Sequence, residues 1–421
     1  MVTELEKTSN AAGRAAGQAL PRAVRCPAAV AGLLIALVSA PPLAGLPPPA
    51  THRRAAEALL SGQPLGVPQT TLLPITPAQI LALSPEMRAF LATHVDPRGS
   101  GKLKLHNLVA ALFASGTFGL DYDDTTRSAA ETFQLRRGNC LSFAGMFLAM
   151  ARAVGLDARF QEVEVPPDWT LANDTFVLNR HVDVVVDLGL EGTRVVDFNT
   201  ADFRSSYPMR RISDARAMAH FGNNLGVERL QAGDMAGAWA YFRAALLEND
   251  WTFAPAWTNL GTVYQRIGDL KRAELAYLQA LEVARGDPVA MSNLASLYER
   301  TGDHQRAAAL RAKVAAHRLR NPYYRYHLAR QALAAGKLDE AIAHLKFATR
   351  IRPSEDRFCF LLGVAYQRRG NEREARRWFA QAQRVAAAYP ALEVPYPGTL
   401  EPVREHPQQQ DEGDEPPPSS P

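Results

Sequence analysis

The sequence predicts an α+β domain followed by an all-α superhelix of helical hairpins, and three observations carry that prediction. Strand-like residues are concentrated in one stretch, Phe160 to Phe198, behind a helical stretch, which is how an α+β domain reads. The C-terminal half repeats itself at a period of 34 or 35 residues. The 421 residues, 47% of them hydrophobic, exceed what one compact core usually holds and suffice for two.

Residues 1–45 read as a signal peptide or membrane anchor. Arg14, Arg22 and Arg25 precede the apolar run Ala28 to Val38, which is shorter than the about 20 residues of a spanning helix. Val38-Ser39-Ala40 supplies a small-residue cleavage site, whereas Pro41 directly after it hinders cleavage and keeps a retained anchor open. Cys26 lies before the apolar run, which argues against lipoprotein attachment. The expectation is export to the periplasm, with a membrane met only through this segment. Residues 46–75, rich in Pro, Ala and Thr, read as a linker with one short helical piece around Arg53 to Leu60.

The α+β domain is assigned to residues 76–215. Thr76-Pro77-Ala78 opens a helix with Ile80, Leu81 and Leu83 as apolar positions, and Leu105, Leu108, Val109, Leu112 and Phe113 mark another. Arg137-Gly138-Asn139-Cys140-Leu141-Ser142 then turns into an apolar helix. Ala144, Phe147, Leu148, Ala151 and Val154 recur at helical spacing, Asn139 suits the N-cap, and Gly155 suits C′. Cys140 is thereby placed at a helix start, where unpaired N–H groups and the positive end of the macrodipole favour a thiolate. Taken alone, a cysteine here reads first as a small buried hydrophobe, and the segments that follow change that weighting.

Two strands follow. In His181 to Leu188, residues Val182, Val184, Val186 and Leu188 share one face, and His181, Asp183, Val185 and Asp187 the other. After the Gly189 to Gly192 turn, Thr193 to Phe198 pairs back antiparallel and returns Asp197 towards His181. Opposite or diagonal neighbours across such a pair lie within roughly 4.5 to 8 Å. A carboxylate accepting from one ring nitrogen fixes the imidazole tautomer and leaves the other nitrogen to exchange a proton with a thiol. Asp183 and Asp187 compete for the orienting role, or are strand-face charges in water.

Gly138-Asn139-Cys140 opening a helix, the Ala149 to Arg159 stretch, His181 and Val195-Val196-Asp197-Phe198-Asn199 together resemble the transglutaminase-like superfamily of papain-related thiol enzymes, over about residues 76 to 205. The resemblance implies Cys140 as nucleophile, His181 as base and Asp197 as orienting carboxylate, with acyl transfer or amide and peptide hydrolysis through a thioester and no cofactor or metal. It also implies an oxyanion donor upstream, for which Gln134, six residues before Cys140, is similarly placed; a surface glutamine is the other reading. One departure is His181-Val182-Asp183, where many members carry a His-Ala-Trp type strand. Members without turnover exist, so the alternative is an idle fold that serves with the repeats as a protein interaction scaffold.

The repeat anchors are Leu225-Gly226, Leu260-Gly261, Leu294-Ala295, Leu328-Ala329 and Leu362-Gly363, spaced by 35, 34, 34 and 34 residues. A small residue follows each pair: Ala238, Ala273, Ala307, Ala341 and Ala375. Gly233, Gly268, Gly302, Gly336 and Gly370 mark the turns within the hairpins. This resembles tetratricopeptide repeats, five of them across residues 216–389, an array that implies a groove for a protein or peptide. In the third, Arg311 and Val314 replace the usual residues, and Asn321-Pro322-Tyr323-Tyr324 marks a break. The aromatics Trp239, Tyr241, Trp257, Tyr264, Tyr298, Tyr366 and Trp378 read as core packing. Residues 390–421 read as a disordered acidic tail. A net charge of +4 with scattered Lys and Arg gives no nucleic-acid footprint, and Cys140 and Cys359 fall in different domains and are not expected to bridge.

Overall fold

A computed structural model describes residues 2–5, 56–66, 76–113, 118–164, 180–197 and 207–388. The apolar segment at 28–38, Phe198, Asn199 and the tail at 390–421 lie outside the described residues. Among the described residues, no helix is long and apolar enough to cross a membrane.

A short turn of helix, α1 (Pro77–Ile80), leads into α2 (Pro85–His94). Ser84 caps α2 by accepting from Met87 N at 3.2 Å, with Pro85 at the first helical position, where its missing N–H is no loss. α3 (Gly101–Phe113) buries Leu105, Leu108 and Leu112. α4 (Ala129–Leu135) starts on a capping box in which Ser128 Oγ accepts from Glu131 N and the Glu131 carboxylate accepts from Ser128 N. α5 (Cys140–Ala153) is buried continuously from Leu141 to Ala151, as expected of a helix apolar all round.

Behind α5 stands an antiparallel sheet of β4 (Asp157–Glu164), β5 (Arg180–Asp187), β6 (Thr193–Val196) and β7 (Met209–Arg211), with β1 (Val2–Leu5) paired to β6, in the order β1-β6-β5-β4-β7. A separate parallel pair joins β2 (Asp121–Tyr122) to β3 (Arg137–Gly138). Ala144, Phe147, Leu148 and Ala151 of α5 share one core with Phe160, Val182, Val184 and Val186. The second face of β5 is covered too. Asp183, read from sequence as a water-facing charge or a competitor for His181, is 0% exposed, and Val163, Val195 and Tyr207 form a small cluster on that face.

Five helix pairs follow: α6 (Asp214–Gln231) with α7 (Met235–Ala244), α8 (Ala254–Arg266) with α9 (Leu270–Val283), α10 (Pro288–Arg300) with α11 (His304–Arg320), α12 (Pro322–Ala334) with α13 (Leu338–Ile351), and α14 (Asp356–Arg368) with α15 (Glu372–Ala388). The repeat glycines are there for close approach. A Cβ on Gly226, Gly261 or Gly363 would stand 2.5 to 2.7 Å from the ring of Phe242, Tyr277 or Phe379. Where the sixteenth residue on is Arg311 or Leu345 instead of an aromatic, Ala295 and Ala329 occupy the anchor position. The apolar core divides at the predicted break: one cluster runs through Ala307, another starts at Ala329, and Asn321 caps α12 between them.

Residues 56–66, read from sequence as linker, are packed on the first repeats. Ala56, Leu59 and Leu60 are buried in the repeat core, and Leu59 O accepts from Trp239 Nε1 at 3.1 Å and Tyr264 Oη at 2.5 Å. α6 belongs to both halves of the molecule. Ala217, Met218 and Phe221 enter the core around α5, while Ala219 and Leu230 enter that of the repeats.

Candidate active site

Gly138 lets the chain enter α5 closely, since a Cβ there would lie 2.7 Å from Ser142 Cβ. Asn139 is the N-cap, its Oδ1 accepting from Ser142 N and from Ser142 Oγ, both at 2.9 Å. Its Nδ2 donates to Thr126 Oγ1 at 2.8 Å, and Thr126 N donates to Glu228 Oε1 of α6 at 2.8 Å. The first repeat helix thus braces the loop that presents the sulfur. Cys140, partly exposed, is the first helical residue, so its N–H is one of the helix-start donors with no intrahelical acceptor.

His181 is 7% exposed at the start of β5, and its Nε2 pairs with Asp197 Oδ1 at 2.7 Å. The β5–β6 register explains the reach. Val184 pairs with Val196, so Asp197 follows opposite Asp183 and meets His181 diagonally. Burial opposes a charge on His181, but the hydrogen bond to Asp197 and the interaction with the Cys140 sulfur, with their charges, outweigh it and raise the imidazole well above its usual range. With Nε2 committed to the carboxylate, Nδ1 is the nitrogen available to the thiol.

Asp183 does not orient His181. Burial first, then the negative charge of Asp197, push its carboxyl well above the usual range, and neither of its oxygens makes a hydrogen bond among the described residues. Gln161, opposite it on β4, lies beside it without closing a bond of ordinary geometry. Asp187 is remote from the thiol chemistry, accepting from Gly189 N at 2.9 Å and facing Arg211 at 3.9 Å. Gln134 sits on the exposed face of α4 and makes no hydrogen bond among the described residues, so the structure links it to neither Cys140 nor His181.

One neighbour escaped the sequence reading. Tyr122, 58% exposed, pairs with Gly138 across β2 and β3, and partial desolvation, with the Cys140 charge next, pushes the phenol up to about 12. Its hydroxyl therefore stays protonated across the neutral range. Its only signal in the sequence is an aromatic among the acids Asp121, Asp123 and Asp124. Among the described residues, no group of three or more His, Cys, Asp or Glu side chains is arranged to hold a metal ion.

A helix-start cysteine facing a buried histidine–aspartate pair on an antiparallel sheet defines a transglutaminase-like thiol domain. The transglutaminase-like superfamily model matches residues 95–198, and tetratricopeptide models match 254–287, 290–323 and 332–392. The chain is a transglutaminase-like domain followed by tetratricopeptide repeats. No curated protein matches it. Among solved structures, MamA is 22% identical, covering 42% of this chain and 98% of its own, with a TM-score of 0.22. YrrB, described as a TPR protein with an unusual peptide-binding site, is 20% identical over 40% of this chain and 87% of its own, with a TM-score of 0.22.

Proposed function

We propose that the chain performs thiol-dependent acyl transfer or hydrolysis on a carboxamide or peptide bond of a protein or peptide recruited by the repeats. The observation that carries this reading is the buried 2.7 Å bond between His181 Nε2 and Asp197 Oδ1, in an imidazole that the Cys140 sulfur also helps to raise. A raised imidazole next to a sulfur stores the proton needed later. The Cys140 thiolate attacks the carbonyl carbon, and the developing oxyanion meets the Cys140 N–H. The C–N bond then breaks as His181 gives its proton to the departing nitrogen, leaving a thioester. Water or an amine attacks the thioester, His181 takes the proton of the attacking group, and the thiolate departs. Asp197 holds the ring throughout.

The experiment is alkylation of the purified protein by iodoacetamide in mildly acid buffer. Cys140 is expected to react fast in the wild type and slowly in His181→Ala; equal rates in the two proteins would sink the reading and leave the scaffold alternative. Incorporation of a fluorescent primary amine into a glutamine-containing protein then separates transfer from hydrolysis. Export is part of the proposal, resting on Arg14, Arg22, Arg25 and the run Ala28 to Val38. An N-terminal sequence beginning at or beyond Pro41 in the mature chain checks it; such a chain gives up the edge strand β1 and leaves β6-β5-β4-β7 as the sheet.

A further inference from the structure

The second helices of repeats 4 and 5, α13 and α15, border a cleft of about 520 Å³ in which the thiol chemistry has no part. Lys346, Arg350, Arg377 and Arg384 line it, with the Trp378 indole as a wall, and no carboxylate lines it. Among the described residues only Arg377 of these four cations has a carboxylate partner, Glu374 at 3.5 Å. Arg384 donates to the Gln381 amide oxygen at 2.7 Å, and Lys346 and Arg350 lie over the rings of Tyr366 and Phe347. Trp378 Nε1–H is buried and makes no hydrogen bond, a desolvated donor that nothing in the described residues offsets. Cys359, at the cleft wall, is no competing anion, because burial, with the charges of Asp356 and Glu355, pushes its thiol up to about 11.

Three cations with no carboxylate partner among the described residues, beside an aromatic wall, fit an acidic peptide. The sequence carries one close by. Residues 389–421 hold seven carboxylates against one arginine, densest at Asp411-Glu412-Gly413-Asp414-Glu415. α15 ends at Ala388, one turn beyond Arg384, and the 22 residues from 389 to 410 are enough, at the reach of a random coil of that length, to span on the order of 25 Å. We propose that the α13–α15 cleft is a binding site for an acidic peptide segment and that its resident ligand is this chain's own Asp411–Glu415.

The test uses the full chain with Asp411→Asn, Glu412→Gln, Asp414→Asn and Glu415→Gln, substitutions that touch no residue of the repeats. A fluorescein-labelled peptide spanning residues 408–417 is titrated into this chain and into the unaltered one. A tether of this length holds its segment at an effective concentration of about 1 mM, so for a free peptide that binds with a Kd of about 0.1 mM the neutralised chain is expected to bind about tenfold more tightly. Added salt weakens the binding. Arg350→Ala with Arg384→Ala in the neutralised chain abolishes it, with thermal unfolding as the check that the repeats still fold. Equal affinity for the two chains, binding by neither, or equal binding of the Asn/Gln version of the peptide would overturn the proposal.

Discussion

At the residue scale the chemistry depends on which charges surround His181. Asp197 is the first of the groups that raise it, so Asp197→Asn is expected to lower the imidazole and slow Cys140 alkylation in mild acid. The stabilising effect has a definite sign. A histidine raised on folding contributes fully below about pH 6.5 and loses that contribution as pH rises through its folded value. The difference in denaturant midpoint between wild type and His181→Gln should therefore shrink on the alkaline side. Asp183 is also raised, by burial and by Asp197, and it stabilises least once pH has risen through its folded value. Asp183→Asn removes that penalty, so its melting temperature should exceed wild type on the order of a few degrees at high pH and match it in strong acid.

At the element scale the repeats are specified by pairs of residues sixteen apart. Gly261→Ala would drive a Cβ to 2.5 Å from Tyr277 Cε1, and such overpacking costs about 1–3 kcal/mol. Ala329 with Leu345 is the same pair solved differently in repeat 4, so Gly261→Ala with Tyr277→Leu should cost less than the two changes summed, as chemical unfolding would read. Such elements were legible because local pattern and tertiary packing agree: the helix start at Cys140, the β5–β6 hairpin and the turn glycines all follow from short-range spacing. Asp183 and Gln161 were not legible, because alternation assigns a face without saying what covers it. Tyr122 was missed because a two-residue parallel pairing leaves no periodic trace. Residues 56–60 were missed because their partners, Trp239 and Tyr264, lie far along the chain.

At the scale of the whole molecule the two halves meet through Glu162 of β4. It accepts from Arg216 Nε at 2.9 Å, pairs with His220 Nε2 at 2.7 Å and is also held by Arg210. Its burial opposes ionisation, but the bonds from His220, Arg216 and Arg210 hold the carboxyl well below the usual range. A carboxyl depressed on folding stabilises above its unfolded value and stops doing so as pH falls through its folded one. Glu162→Gln is expected to cost about 1–3 kcal/mol at neutral pH, with the gap to wild type closing in acid, measured by thermal unfolding across pH. α6 adds a geometric consequence. Because one unbroken helix supplies side chains to both cores, it ties the array to the domain that holds the sulfur, and Glu228 of that helix reaches the Cys140 N-cap through Thr126. The span between a ligand gripped by the repeats and Cys140 is therefore a gauge length. Under the proposed chemistry, a substrate is chosen by how many residues separate its anchored stretch from its reacting group, as well as by what that group is.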